Sequence, residues 1–263
     1  CDTTMADTVI IIALPPAVPP AITASGPLQF CDGDSVNLSL PNGYATYTWS
    51  NGATTQYVTV TASGSFTATV TNAAGCAATT LAATTVTTHP NPAPPTINPA
   101  TPQTFCAGQN VVLAANNGYT AYLWSTGGSA SSINVNSSGS YFVSGSNSFG
   151  CWSDTSLHVQ VQMNSLPPQP VVTAIGTTPF CQGDSIVLSA PIGYSQYIWN
   201  NGTTLANLTV TATANLSVVV VDSNGCQSPG SPTYAVVEHP YYQPQIVAMS
   251  NPQFCVGDSV ILH

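Results

Sequence analysis

The stretch Phe30-Cys31-Asp32-Gly33-Asp34-Ser35-Val36-Asn37-Leu38, followed by Gly43-Tyr44 and Tyr47-Thr48-Trp49, decides the fold because it recurs. Phe105-Cys106 opens a second copy that runs through Gly118-Tyr119 to Tyr122-Leu123-Trp124. Phe180-Cys181 opens a third, through Gly193-Tyr194 to Tyr197-Ile198-Trp199, and Phe254-Cys255 begins a fourth. The leading cysteines stand at positions 31, 106, 181 and 255, a spacing of 75, 75 and 74 residues. A period of this length marks a tandem array of small domains.

Working outward from Cys31, the flanking segments alternate with period two. Val36, Leu38 and Leu40 alternate with Ser35, Asn37 and Ser39. Tyr47 and Trp49 alternate with Thr48 and Ser50, and Val58 and Val60 with Thr59 and Thr61. Phe66, Ala68 and Val70 alternate with Thr67, Thr69 and Thr71. In the second copy Leu157, Val159, Val161 and Met163 alternate with His158, Gln160 and Gln162. One apolar face and one hydroxyl or amide face per strand predict a two-sheet sandwich. Turn signals at Pro41-Asn42-Gly43, Ser50-Asn51-Gly52 and Ala73-Ala74-Gly75 separate the segments. The expected fold is all-β, a tandem array of ~75-residue immunoglobulin-like β-sandwiches with one disulfide each.

Proline-rich joints delimit the copies. They give 1–19 as the last strand of a preceding repeat, 20–94, 95–169 and 170–243 as three full repeats, and 244–263 as the start of a fourth. Val9–Ala13 is the strand-length apolar run of the first segment. Such joints are stiff and extended, which predicts a semi-rigid rod. A chain that begins and ends inside repeats is expected to be a window on a longer polypeptide.

Composition narrows the function classes. Charged residues make up 3% of the 263, with no Lys or Arg, against roughly 25% in average proteins. There is therefore no cationic footprint for nucleic acid, no lysine for a Schiff base or isopeptide bond, and no site for a trypsin-like protease. No 18-residue apolar run predicts a membrane span. The net charge of -9 is modest for this length.

The second cysteines, Cys76, Cys151 and Cys226, each follow a leading cysteine by 45 residues. This regularity predicts the within-repeat disulfides Cys31–Cys76, Cys106–Cys151 and Cys181–Cys226, with Cys1 and Cys255 lacking partners. No CxxC pair supports zinc. Disulfides imply an oxidising, extracellular location, and a small domain gains from such a staple. Trp49, Trp124 and Trp199 are expected in the cores. Trp152 occurs in one copy only, beside a cysteine, and is the candidate exposed contact. Phe66, Tyr141 and Leu216 share the position ten residues before the second cysteine, which resembles a tyrosine corner.

The composite pattern FC-x-G-D-S-V-x-L, GY-x-x-Y-x-W-S-N-G, V-T-V-T-x-S-G-x-F/Y and N-x-x-G-C resembles the Ig-like, PKD-like tandem repeats of very large Bacteroidota surface proteins. The resemblance spans nearly the whole chain. It implies export by the type IX secretion system and a place in gliding or attachment adhesins, surface filaments or spacers of secreted enzymes. The absence of Lys and Arg and the Ala107-Gly108-Gln109-Asn110 variant depart from the pattern.

The remaining candidates are local. Asp34, Asp184 and Asp258 invite a calcium reading, but Gln109 interrupts the series and calcium takes six to eight oxygens. An Asx-type turn is the plainer reading. Asp-Ser-Val, Asp-Ser-Ile and Asp-Thr-Val triplets resemble Bacteroidota O-glycosylation acceptors, which makes Ser35, Ser185, Ser259 and Thr8 candidates. No nucleophile, base and acid recur together, so catalysis and a cofactor are not expected. The leading expectation is a structural segment of a very large adhesin or surface filament for attachment, gliding or capture, packed with identical chains in a homo-oligomeric fibre. A glycan- or protein-binding module array is the second class, and the spacer of a secreted enzyme the third.

Overall fold

The computed structural model describes residues 13–245, 247, 253 and 255–257. Thr8, Ser259, Asp258, Cys1 and most of Val9–Ala13 therefore lie outside the described residues, as does most of 244–263. The chain divides into two compact units, one of residues 1–103, 112–135 and 139–161, the other of 104–111, 136–138 and 162–263. The described residues form strands, turns and bends without a helix.

In the first repeat the strands are β1 (Thr23–Ala24), β2 (Gln29–Cys31), β3 (Val36–Ser39), β4 (Thr46–Trp49), β5 (Tyr57–Val60), β6 (Gly64–Phe66), β7 (Ala68–Thr71), β8 (Ala77–Thr79) and β9 (Thr84–His89). One sheet has the order β1-β3-β5, and two others have the orders β4-β7-β8 and β2-β9-β6. The alternation sets the register, since a one-residue slip would turn every apolar side chain outward. Leu38 pairs with Val58, and Trp49 with Ala68. Val36, Leu38, Trp49, Val60, Ala68, Val70 and Val86 close into one core. Each large aliphatic side chain buried there contributes about 1.5–3 kcal/mol.

The run from Phe66 to Thr71, expected as one strand, is interrupted at Thr67. Its front half pairs with β9 and its back half with β4. Ser50 fills the break, with its N–H donating to the Thr67 carbonyl (2.8 Å) and its hydroxyl accepting from the Thr67 N–H (3.2 Å). The edge strand β2 runs parallel to β9, with Cys31 opposite His89. It therefore ends where the chain leaves the repeat.

The second repeat carries β10 (Ile97–Asn98), β11 (Gln103–Cys106), β12 (Val111–Ala115), β13 (Ala121–Trp124), β14 (Ser132–Val135), β15 (Gly139–Tyr141), β16 (Val143–Ser146) and β17 (Val159–Asn164). The third carries β18 (Thr173–Ile175), β19 (Phe180–Cys181), β20 (Ile186–Ser189), β21 (Gln196–Trp199), β22 (Asn207–Val210), β23 (Ala214–Leu216), β24 (Val218–Val221), β25 (Tyr234–Val236) and β26 (Glu238–His239). The orders β10-β12-β14 and β18-β20-β22 repeat the first sheet, and β11-β17-β15 repeats β2-β9-β6.

Neither repeat has a strand in the place of β8. Buried serines satisfy the exposed edge instead. The Val143 and Gly145 N–H groups donate to the Ser156 and Ser153 hydroxyls (3.1 and 3.0 Å). Those of Val218 and Val220 donate to Ser231 and Ser228 (both 3.0 Å). Pairing of buried backbone donors in this way avoids a desolvation cost of about 1–3 kcal/mol each. The same device overturns one expectation. Leu157 does not alternate into the sandwich but is 91% exposed, because Ser156 holds the chain against Val143 before β17 starts.

Candidate functional site: the joints between repeats

The chemistry that recurs is gathered at the two ends of each repeat. At the exit end lies the turn opened by the leading cysteine. The Asp34 N–H donates to the Cys31 carbonyl (3.0 Å), and Gln109 and Asp184 repeat this bond with Cys106 and Cys181. Gly33 sits inside the turn at φ 98°, a region open to glycine and closed to most side chains. The Asp32 N–H then donates to the His89 carbonyl (2.9 Å), as Ala107 does to Asn164 and Gln182 to His239. The Asp34 and Asp184 backbones thus close this turn. Among the described residues no three His, Cys, Asp or Glu side chains cluster as metal ligands.

At the entry end lies the turn before the second cysteine. The Asn72 Oδ1 accepts from the N–H groups of Ala74 (3.1 Å) and Cys76 (2.9 Å). Asn147 does the same for Phe149 and Cys151, and Asp222 for Asn224 and Cys226. The amide nitrogen of each asparagine then reaches the incoming joint, Asn72 donating to the Pro15 carbonyl (3.1 Å) and Asn147 to that of Pro90 (2.9 Å). The neighbouring tyrosines add a second clasp. Tyr44 donates to the Val18 carbonyl (2.9 Å) and Tyr119 to that of Ala93 (2.7 Å). Asp222 has no donor with which to repeat the asparagine contact.

The cysteines follow this division into ends, and they correct the expected pairing. Cys31 bonds to Cys151 and Cys106 to Cys226, each across 120 residues. The within-repeat bonds Cys31–Cys76, Cys106–Cys151 and Cys181–Cys226 do not form, and Cys76, Cys181 and Cys255 are thiols. The reason is placement. Cys31 lies beside His89 at the exit end, while Cys76 lies beside Asn72 at the entry end, on the far side of a sandwich. The entry cysteine of the second repeat is the one that meets Cys31, with Cα atoms 5.5 Å apart. The staple thus belongs to the joint rather than to the domain.

Around the first staple the His89 ring stacks on Phe149 at 3.9 Å and 10°, and its Nε2 lies 3.3 Å from the Gln29 Oε1. Asn91 donates to the Asp32 carbonyl (3.0 Å). In the second unit Cys106, Ala107, Gln109, Leu166, Gly225 and Gln227 line one hollow beside the other staple.

Trp49, Trp124 and Trp199 are almost fully buried, and each indole N–H donates to a carbonyl six residues on, at Thr55, Ala130 and Leu205. Phe66, Tyr141 and Leu216 are also buried. Trp152 is 43% exposed and bridges to Ser146. Ser35 and Ser185 are exposed beside their exit turns. His158 stacks on Phe142 at 4.7 Å, with Nδ1 3.2 Å from the Ser140 hydroxyl.

The joint contacts of Asn72, Asn147, Tyr44 and Tyr119 were not foreseen. Their signal lies in N-x-x-G-C, present in the first two repeats, and in G-Y, present in all three, but recurrence alone does not say that a side chain reaches out of its own repeat.

No protein-family model matches the chain, and no curated protein matches it. Solved structures do resemble it. One is a Ca2+-stabilized adhesin that helps an Antarctic bacterium reach out and bind ice, at TM-score 0.41 and 14% identity over 85% of this chain and 75% of that one. Another is from a 1.5-MDa bacterial ice-binding adhesin, at TM-score 0.35 and 12% identity over 85% and 99%. A third is the N-terminal eight Ig domains of the Down Syndrome Cell Adhesion Molecule, at TM-score 0.36 and 14% identity over 89% and 38%. Likenesses this weak carry no functional argument; the all-β, Ig-like character of the chain rests on its own strand pairings.

Proposed function

We propose that the chain is a structural segment of a very large extracellular adhesin or surface filament, built of repeats spanning 20–94, 95–169 and 170–243 and packed with identical chains into a fibre. The observation that carries this reading is the joint. The repeat ends are joined by a disulfide at each of the two bonded joints, and the Asn147 and Tyr119 clasps hold the linker. Such joints suit a stalk whose work is to keep its neighbours in order. The near absence of charge leaves little electrostatic repulsion between parallel chains, which favours side-by-side packing. The sequence resemblance to Bacteroidota type IX-exported repeats supports a cell-surface location, as do the disulfides.

Mass per unit length of the native material tests the fibre. Several chains abreast are expected, and single chains throughout would overturn it. A repeated exposed aromatic would favour a glycan-binding array instead, but Trp152 has Ala77 and Gln227 at its equivalent positions.

A further inference from the structure

The two staples overlap in sequence. One spans Cys31 to Cys151 and the other Cys106 to Cys226, so every peptide bond between Cys31 and Cys226 lies inside at least one disulfide loop. Within-repeat bonds would leave the joints, and the chain between Cys76 and Cys106, outside any loop. We infer that the staples form a second covalent track beside the backbone, which keeps the array one molecule after a peptide bond is cut at any single place between Cys31 and Cys226. The track runs from Cys31 across to Cys151, back along the backbone to Cys106, and across to Cys226. It uses about 45 residues of backbone where the direct route uses about 195, so a chain pulled fully extended is limited over this stretch to about 160 Å rather than about 680 Å. Damage by a single proteolytic event, and overstretching, are both contained. This property belongs to the covalent pattern and holds whatever surface the array contacts.

The absence of Lys and Arg gives a clean test, because one introduced arginine is the only trypsin site. Leu81→Arg replaces a side chain that is 90% exposed, and Val171→Arg one that is 69% exposed. Position 81 lies between Cys76 and Cys106, inside the Cys31–Cys151 loop and outside any within-repeat loop. Position 171 lies between Cys151 and Cys181, inside the Cys106–Cys226 loop alone. The full chain is purified under oxidising conditions, its free thiols are alkylated, and it is cut by trypsin in urea without reductant, so that access does not depend on the fold. Each cut variant is expected to run as one species of full mass without reductant and as two fragments with it. Adding Cys31→Ser to Leu81→Arg is expected to release both fragments without reductant. Separation of the Leu81→Arg or Val171→Arg products before reduction would overturn the inference. So would survival of the Cys31→Ser/Leu81→Arg product as one species.

Discussion

Replacing Cys31 by Ser removes half of a staple whose other half is 120 residues away. In the chain-entropy treatment, opening a loop of that length returns about 16 cal/mol/K to the unfolded chain, or about 5 kcal/mol at 25 °C. Native disulfides measured in small secreted domains contribute about 2–5 kcal/mol, and about 2–4 kcal/mol is the expectation here. For a sandwich of ~75 residues each kilocalorie moves Tm by about 4–8 °C, so the shift should be on the order of 10 °C or more. The loop encloses most of repeats one and two, so both should soften together. Cys31→Ser and Cys151→Ser are expected to lower the same transitions equally, and the double variant to fall no further than either single one. Cys76→Ser, at a thiol, should leave every transition in place. Scanning calorimetry of the oxidised full chain reads all four. If Cys76→Ser destabilised the first repeat as strongly as Cys31→Ser while Cys151→Ser spared it, the joint staple would be refuted in favour of a within-repeat bond.

Three further changes probe the clasp and the core. A Cβ at Gly145 would run into the Tyr119 ring, so Gly145→Ala should cost about 1–3 kcal/mol by overpacking and displace Tyr119 from Ala93, read as a lower urea midpoint. Asn147→Asp keeps the turn acceptor, as Asp222 does, but loses the donor to Pro90. It should cost about 1 kcal/mol, with Asn147→Ala costing more because the Phe149 and Cys151 N–H groups lose their acceptor as well. Trp124→Phe removes the indole donor from the Ala130 carbonyl and part of the core volume. A loss of about 1–3 kcal/mol is expected, and an unchanged chemical-denaturation midpoint would contradict the core role.

Much of the architecture was legible along the chain. Alternation such as Val36, Leu38, Leu40 against Ser35, Asn37, Ser39 fixes which side chains face inward, because successive strand residues point to opposite faces. The structure buries Val36, Leu38, Leu40, Trp49, Trp124 and Trp199 accordingly. Local pattern failed at Leu157, where the hydroxyl of Ser156 turns the chain outward through a bond to a strand thirteen residues earlier. It failed again at Thr67, where one run divides between two partners.

The opening motif shows where the boundary lies. Its period marks repeats with two cysteines each, and the alternation around it marks each repeat as a sandwich. The period does not determine which cysteines meet. A leading cysteine stands 45 residues before the second cysteine of its own repeat and 120 before that of the next, and both separations recur along the array. A distance that repeats in sequence is blind to which end of a domain a residue occupies. That was decided by tertiary structure alone: parallel pairing of β2 with β9 carries Cys31 to the exit end, and the Asn72 turn holds Cys76 at the entry end. A disulfide needs Cα atoms within about 7 Å, so the bond forms across the joint, where the opposite ends of neighbouring repeats meet.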